Sequence, residues 1–76
     1  MKDLVEFLAK SLVDKPDHVE VHEHDRDDAL VEELRVAKDD LGQVIGKQGR
    51  TAKAIRTVLS AAASKSDKKV RLEIME

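Results

Sequence analysis

Leu4, Leu8 and Leu12 stand in one row at intervals of four, with Val5 beside them and Lys2, Glu6 and Lys10 left for solvent, which predicts a helix over Met1–Val13. Pro16 ends it, because proline has no N–H to continue the ladder. From Asp17 the period changes to two. Val19 and Val21 alternate with His18, Glu20, His22 and His24, predicting a half-buried strand with the three histidines on its polar face. Asp25-Arg26-Asp27-Asp28 reads as a polar turn, and a second strand follows from Leu30 to Ala37, with Leu34 and Val36 inward and Glu33 and Arg35 outward. Glu32 falls on the apolar side of that alternation, so this end of the strand is expected to be exposed.

Asp39 or Asp40 is a good N-cap for a short helix through Leu41, Val44 and Ile45, and Gln43, three residues after Asp40, would complete a capping box. Gly46-Lys47-Gln48-Gly49 interrupts it. A longer helix from Arg50 to about Ser64 sets Ala52, Ile55, Leu59 and Ala62 on one side and Arg50, Lys53 and Arg56 largely off it. After a polar connection from Ser64 to Lys68, Val70, Leu72 and Ile74 alternate with Lys69, Arg71 and Glu73. The order is αββααβ. The first two strands fit an antiparallel hairpin, and the two-helix crossover returns the third strand parallel to the second in the right-handed sense. The expected fold is α+β: a three-stranded mixed sheet with three helices on one face, one domain over residues 1–76.

Size and composition narrow the chemistry. A chain of 76 residues buries only about 60% of the surface it exposes unfolded, so its core must be economical. Most enzymes are larger. Charged residues make up 39%, but they nearly cancel to a net charge of −2, and 41% hydrophobic residues are too many for a disordered chain. The absence of cysteine excludes disulfides, thiolate zinc sites and a cysteine nucleophile. With no apolar run near the roughly 20 residues that span a bilayer and no signal-peptide pattern, a cytoplasmic protein is expected. Phe7 is the only aromatic residue, which disfavours folds that stack nucleobases on aromatic platforms.

Charge is unevenly placed. Gln43–Val58 carries Lys47, Arg50, Lys53 and Arg56 and no acid, whereas the other 60 residues sum to −6. A helix with solvated charges would explain this by itself. What favours an anion site is the position of these charges beside Gly46 and Gly49, where a two-residue linker between helices must turn sharply and bring backbone close to a ligand. The helix that starts near Arg50 would add its unpaired N–H groups and positive dipole end, so a phosphodiester across the loop would meet amides, Lys47 and Arg50 together. A nucleotide-hydrolysing P-loop does not fit: Gly42 and Gly46 enclose three residues rather than four, and Gln48 replaces the Ser/Thr that holds magnesium.

Val44-Ile45-Gly46-Lys47-Gln48-Gly49-Arg50-Thr51-Ala52-Lys53-Ala54-Ile55 resembles the V-I-G-x-x-G-x-x-I-x-x-I signature of the KH (K homology) RNA-binding domain, with Ala52 standing where a larger aliphatic residue is usual. The inferred order is that of the type II arrangement. Single-domain size and the stretch from Leu34-Arg35-Val36-Ala37 through Gly49–Ala54 are similar to the small bacterial KhpA-type KH family. The resemblance implies a single-stranded RNA-binding protein, an RNA-chaperone or post-transcriptional role tied to cell-envelope and cell-shape control, and pairing with itself or with a KhpB-type partner. It also implies that the G-x-x-G loop clamps the backbone of about four nucleotides while bases lie in an aliphatic groove. Carried over, Gly46, Lys47, Gln48 and Gly49 hold phosphates, Arg50 and Lys53 add charge, and Leu41, Val44 and Ile45 are candidates for the groove, although Val44 and Ile45 fit the core equally well. Lys65, Lys68 and Lys69 are rim candidates. No cofactor is implied.

Other constellations have plainer readings. His22 and His24 have the i, i+2 spacing of a metal pair, but no third ligand is evident other than Glu20, so no metal site is expected. Asp17–Glu33 holds eight acids and one arginine, a solvated hairpin or a surface that repels RNA. Ser60-Ala61-Ala62-Ala63-Ser64 gives a smooth helix end suited to close packing in a dimer, although alanine's helix propensity explains it as well. No nucleophile–base pair marks an enzyme, and the alternative to RNA binding is a protein-interaction adaptor that uses the same domain mainly to dimerise.

Overall fold

A computed structural model describes residues 1–64 and 68–75. The chain runs α1 (Lys2–Leu12), β1 (Glu20–Asp25), β2 (Ala29–Arg35), α2 (Leu41–Ile45), α3 (Arg50–Ala62) and β3 (Lys69–Met75). β2 is central, antiparallel to β1 and parallel to β3. Val21 pairs with Leu34 and Leu34 with Ile74, so the inward rows of the three strands lie side by side. Onto them α1 lowers Val5 and Ala9, α2 Val44, and α3 Ile55 and Leu59, all with 5% exposure or less. The expected α+β architecture is what the chain forms.

Four local differences have physical causes. Pro16–His18 forms a 3-10 turn closed by the Val19 N–H on the Pro16 carbonyl at 3.1 Å, so β1 begins only at Glu20 and His18 lies outside it. β2 runs from Ala29 to Arg35, and Glu32, expected at an exposed end, is fully buried, because α1 reaches over this part of the sheet. α3 ends at Ala62, which is exposed; Leu59 is its last buried position. The capping box between Asp40 and Gln43 does not form.

Asp40 has a different use. Buried to 1% exposure, it directs its carboxylate back across the fold, where Oδ1 accepts the Asp14 N–H at 3.2 Å and Oδ2 the Lys15 N–H at 3.0 Å. Gln43 follows the same route, its Nε2 donating to Asp14 Oδ2 at 3.2 Å. The segment that leaves α1 is thereby fastened to the residue that starts α2. Lys15 Nζ adds an exposed ion pair with Asp39 at 3.1 Å, a contact of little weight in water.

Replacing Asp40 with Ala orphans two backbone donors near the core. Asp40→Ala is expected to lower stability by about 1–3 kcal/mol, with Asp40→Asn, which keeps one acceptor, in between, as read from urea unfolding midpoints.

Candidate functional site

α2 ends where the Gly46 N–H closes on the Gly42 carbonyl at 2.8 Å. The chain then turns through φ 77°, ψ 171° at Gly46, a conformation that side chains resist. Space forbids a side chain there too: a Cβ would stand 2.2 Å from Thr51 Oγ1 and 2.8 Å from the Thr51 nitrogen. The first turn of α3 is therefore packed against this glycine. Gly49 sits in the left-handed region at φ 74°, ψ 13°, and Gln48 joins it at φ 58°, ψ 26°, the one non-glycine residue with positive φ among the described residues. Such a backbone persists because the helices on both sides hold it.

The loop uses some of its hydrogen bonds internally. The Gly49 N–H donates to the Gly46 carbonyl at 3.1 Å and the Arg50 N–H to the Lys47 carbonyl, which leaves the Lys47 and Gln48 amides outside the loop's own backbone bonds. Lys47 and Gln48 are exposed. Arg50 folds back over them, its Nη2 donating to Gln48 Oε1 at 3.2 Å. A lysine, a guanidinium and two amides thus converge on one turn, with no carboxylate among the described residues bonded to any of them. Lys53 lies one helical turn on and is exposed.

The remaining candidates divide. Val44 has 0% exposure and belongs to the core, which corrects its place among groove residues, while its neighbour Ile45 is 38% exposed beside the loop. Leu41 is half-buried against the core. Arg56 turns away from the loop, its Nη2 donating to the Leu72 carbonyl of β3 at 3.4 Å. Beyond that bridge a cavity of about 330 Å³ opens between α3 and β3, lined by Ser60, Ala63, Ser64, Lys68, Lys69 and Val70. Lys68 is ion-paired with Asp25, Lys69 is exposed, and Lys65 lies outside the described residues.

Sequence reasoning missed Thr51, Ser60 and Ser64. The two serines were legible in principle: Lys53, Arg56 and Ser60 fall at helical spacing on the side of α3 next to the buried row, and Ser64 continues that spacing into the turn after the helix. Thr51 gave no signal, because its role is only the space it takes up. On the hairpin, His24 Nε2 lies 2.8 Å from Glu33 Oε1, and among the described residues no three acids or histidines gather as a metal site would require.

A sequence model of the KH domain of KhpA and KhpB matches residues 2–74. The chain is 59% identical over 75 residues to the RNA-binding protein KhpA of Clostridium perfringens, covering 99% of this chain and 100% of that one. To the protein of the same name from Halalkalibacterium halodurans it is 58% identical over the whole of both chains, and to that of Chlamydia caviae 50% identical over 100% of this chain and 97% of the relative. No solved structure matches.

The two glycines of α2 and its end make opposite tests. Gly46→Ala is expected to cost about 1–3 kcal/mol from strain alone, and more as Thr51 is displaced. Gly42→Ala, whose new Cβ meets nothing within 4 Å, should instead gain up to about 1 kcal/mol of helix propensity. Thermal unfolding of the two variants beside the parent checks the sign of both.

Proposed function

Because this chain belongs to the KhpA/KhpB family of KH domains, we propose that it is a non-catalytic, single-stranded RNA-binding protein that clamps the RNA backbone on the Gly46–Gly49 loop. The observation that carries this reading is the positive-φ turn itself, which exposes Lys47 and Gln48 and gathers Arg50 over them. Phosphates lie against the loop's free amides, with Lys47, Arg50 and Lys53 supplying charge. Ile45 and the rim of Leu41 give the bases an aliphatic surface, which suits a protein without aromatic platforms. An acidic hairpin on the far side of the sequence keeps RNA on the basic strip. In the cell the protein acts as an RNA chaperone or post-transcriptional regulator in the cytoplasm, alone or with a KhpB-type partner, in pathways that govern envelope and shape.

One observation favours a second reading, an adaptor that works mainly by dimerising. On the side of α3 turned from the loop's basic strip, Ala54, Val58, Ala61 and Ala62 are all exposed, Val58 to 44%. Small side chains around one valine allow two such helices to approach closely. On this reading Val58→Glu yields a monomer by sedimentation while RNA affinity changes little.

Changing Lys47→Asp and Gln48→Asp together alters the loop by three charge units without touching the core. The double variant is expected to keep its circular dichroism spectrum and melting temperature and to lose RNA binding, since like charges at a phosphate contact typically cost several kcal/mol. Full affinity in the folded double variant would remove the loop as the clamp and favour the adaptor. In the parent protein, with two to four phosphates neutralised, log K against log salt should slope by roughly −1.5 to −3 in a fluorescence-anisotropy titration of a short single-stranded oligonucleotide.

A further inference from the structure

Two carboxylates are buried in this core, and they are treated differently. Asp40 places both oxygens on backbone N–H groups, whereas both oxygens of Glu32 are buried and, in the ionised form, receive no donor among the described residues. Glu32 has 0% exposure on the covered face of the sheet. Its register partner on β1 is Glu23 and on β3 Leu72, so a second carboxyl group faces it directly across the strands. Glu23 is exposed and Glu32 is not, and two carboxylates so opposed, one of them cut off from water, cannot both ionise cheaply.

The groups around this pair are few. From the start of α1 comes the N-terminal ammonium, 3.8 Å from Glu23 Oε2, on a Met1 whose side chain is 13% exposed. Of the other α1 charges, Lys2 and Asp3 in the first turn are exposed, and Lys10 is engaged with Glu6 at 2.9 Å. His24 points to the opposite face of β1, where it meets Glu33. β3 contributes apolar Leu72, its Arg71 and Glu73 alternating outward, and α3 contributes Ile55 and Leu59, while its Arg56 is engaged with the Leu72 carbonyl. The ammonium's contact is with Glu23, and it acts on Glu32 itself only as a weaker, opposing charge.

We infer that Glu32 and Glu23 form a proton-held latch: while the two carboxyls share a proton the first turn of α1 lies closed on the sheet, and losing that proton opens it. Burial first, then hydrogen bonding and charge from Glu23, push the Glu32 carboxyl up from 4.5 to about 7, against weaker opposing pulls from the ammonium and His24. The folded chain therefore holds this proton more tightly than the unfolded chain does. The latch's stabilising effect is complete below about 4.5, declines as pH rises towards about 7, and is lost above it. The opening is local. Met1 and Leu4 are only half-buried over this end of the sheet, whereas the far end of α1 stays fastened through Asp40.

The test follows the 13C resonances of the Glu side-chain carboxyls and, in parallel, hydrogen exchange of α1 amides relative to α3 amides between pH 5 and 8.5, corrected for intrinsic exchange rates. Glu32 should titrate at about 7. The open population of α1 should grow with pH by up to about tenfold per unit below that midpoint and level off above it, because one proton is released. Glu32→Gln, which keeps the shape without the charge, should flatten that dependence and leave α3 unchanged. If Glu32→Gln does not fold, Glu23→Gln takes its place and should move the Glu32 midpoint downward. Titration of Glu32 in the ordinary carboxylate range, an α1 profile identical in parent and Glu32→Gln, or a midpoint unmoved by Glu23→Gln would each overturn the latch.

Discussion

Leu34, next to the end of the central strand, has no exposure, and the inward rows of all three strands meet around it. Only one face of the sheet is covered, so α1, α2 and α3 must all find room on that face and no second core exists to share the load. This constraint sets the scale of everything else. Each helix contributes one or two fully buried side chains, and the strand residues opposite them are Val, Leu and Ile rather than aromatics. With so few apolar contacts, the joints between elements take on polar fastenings, and Asp40 is the one that binds the exit of α1 to the start of α2.

That fastening bears on the loop. α2 is five residues long, too short to hold its own direction through helix propensity. Its position is set at one end by Asp40 and its neighbours and at the other by the contact of Gly46 with Thr51. Between these two points the backbone is forced through positive φ, and the side chains of Lys47 and Gln48 are left outward. The exposure of the loop is thus a consequence of how the helices on either side are anchored. A phosphate ligand meets a surface whose shape is set before it arrives.

Periodicity made the element order legible, because the switch from a spacing of four at Leu4–Leu12 to two at Val19–Val21, and back again at Ala52–Leu59, reflects burial on a single face. The glycine pair and its surrounding cations were legible for the same reason: both follow from local backbone needs and residue chemistry. What escaped the sequence depends on distant partners. Asp40 looks like an N-cap until its carboxylate is seen to serve Asp14 and Lys15, some 25 residues away along the chain. Glu32 reads as an exposed residue because nothing local announces that α1 will cover it. Val44 and Ile45 are chemically alike and adjacent, and only the packing of α2 decides that the first is core and the second is open.

The bridge from Arg56 to the Leu72 carbonyl has a consequence for the chain's life at high concentration. β3 is an edge strand, and the outward backbone groups of such a strand are a template on which another chain can add its own. A guanidinium seated on the middle carbonyl of β3 occupies part of that template, and Lys69 and Arg71 add positive charge to the same strand. One of the two edges of this small sheet is thereby partly occupied by a residue that contributes nothing to the apolar interior.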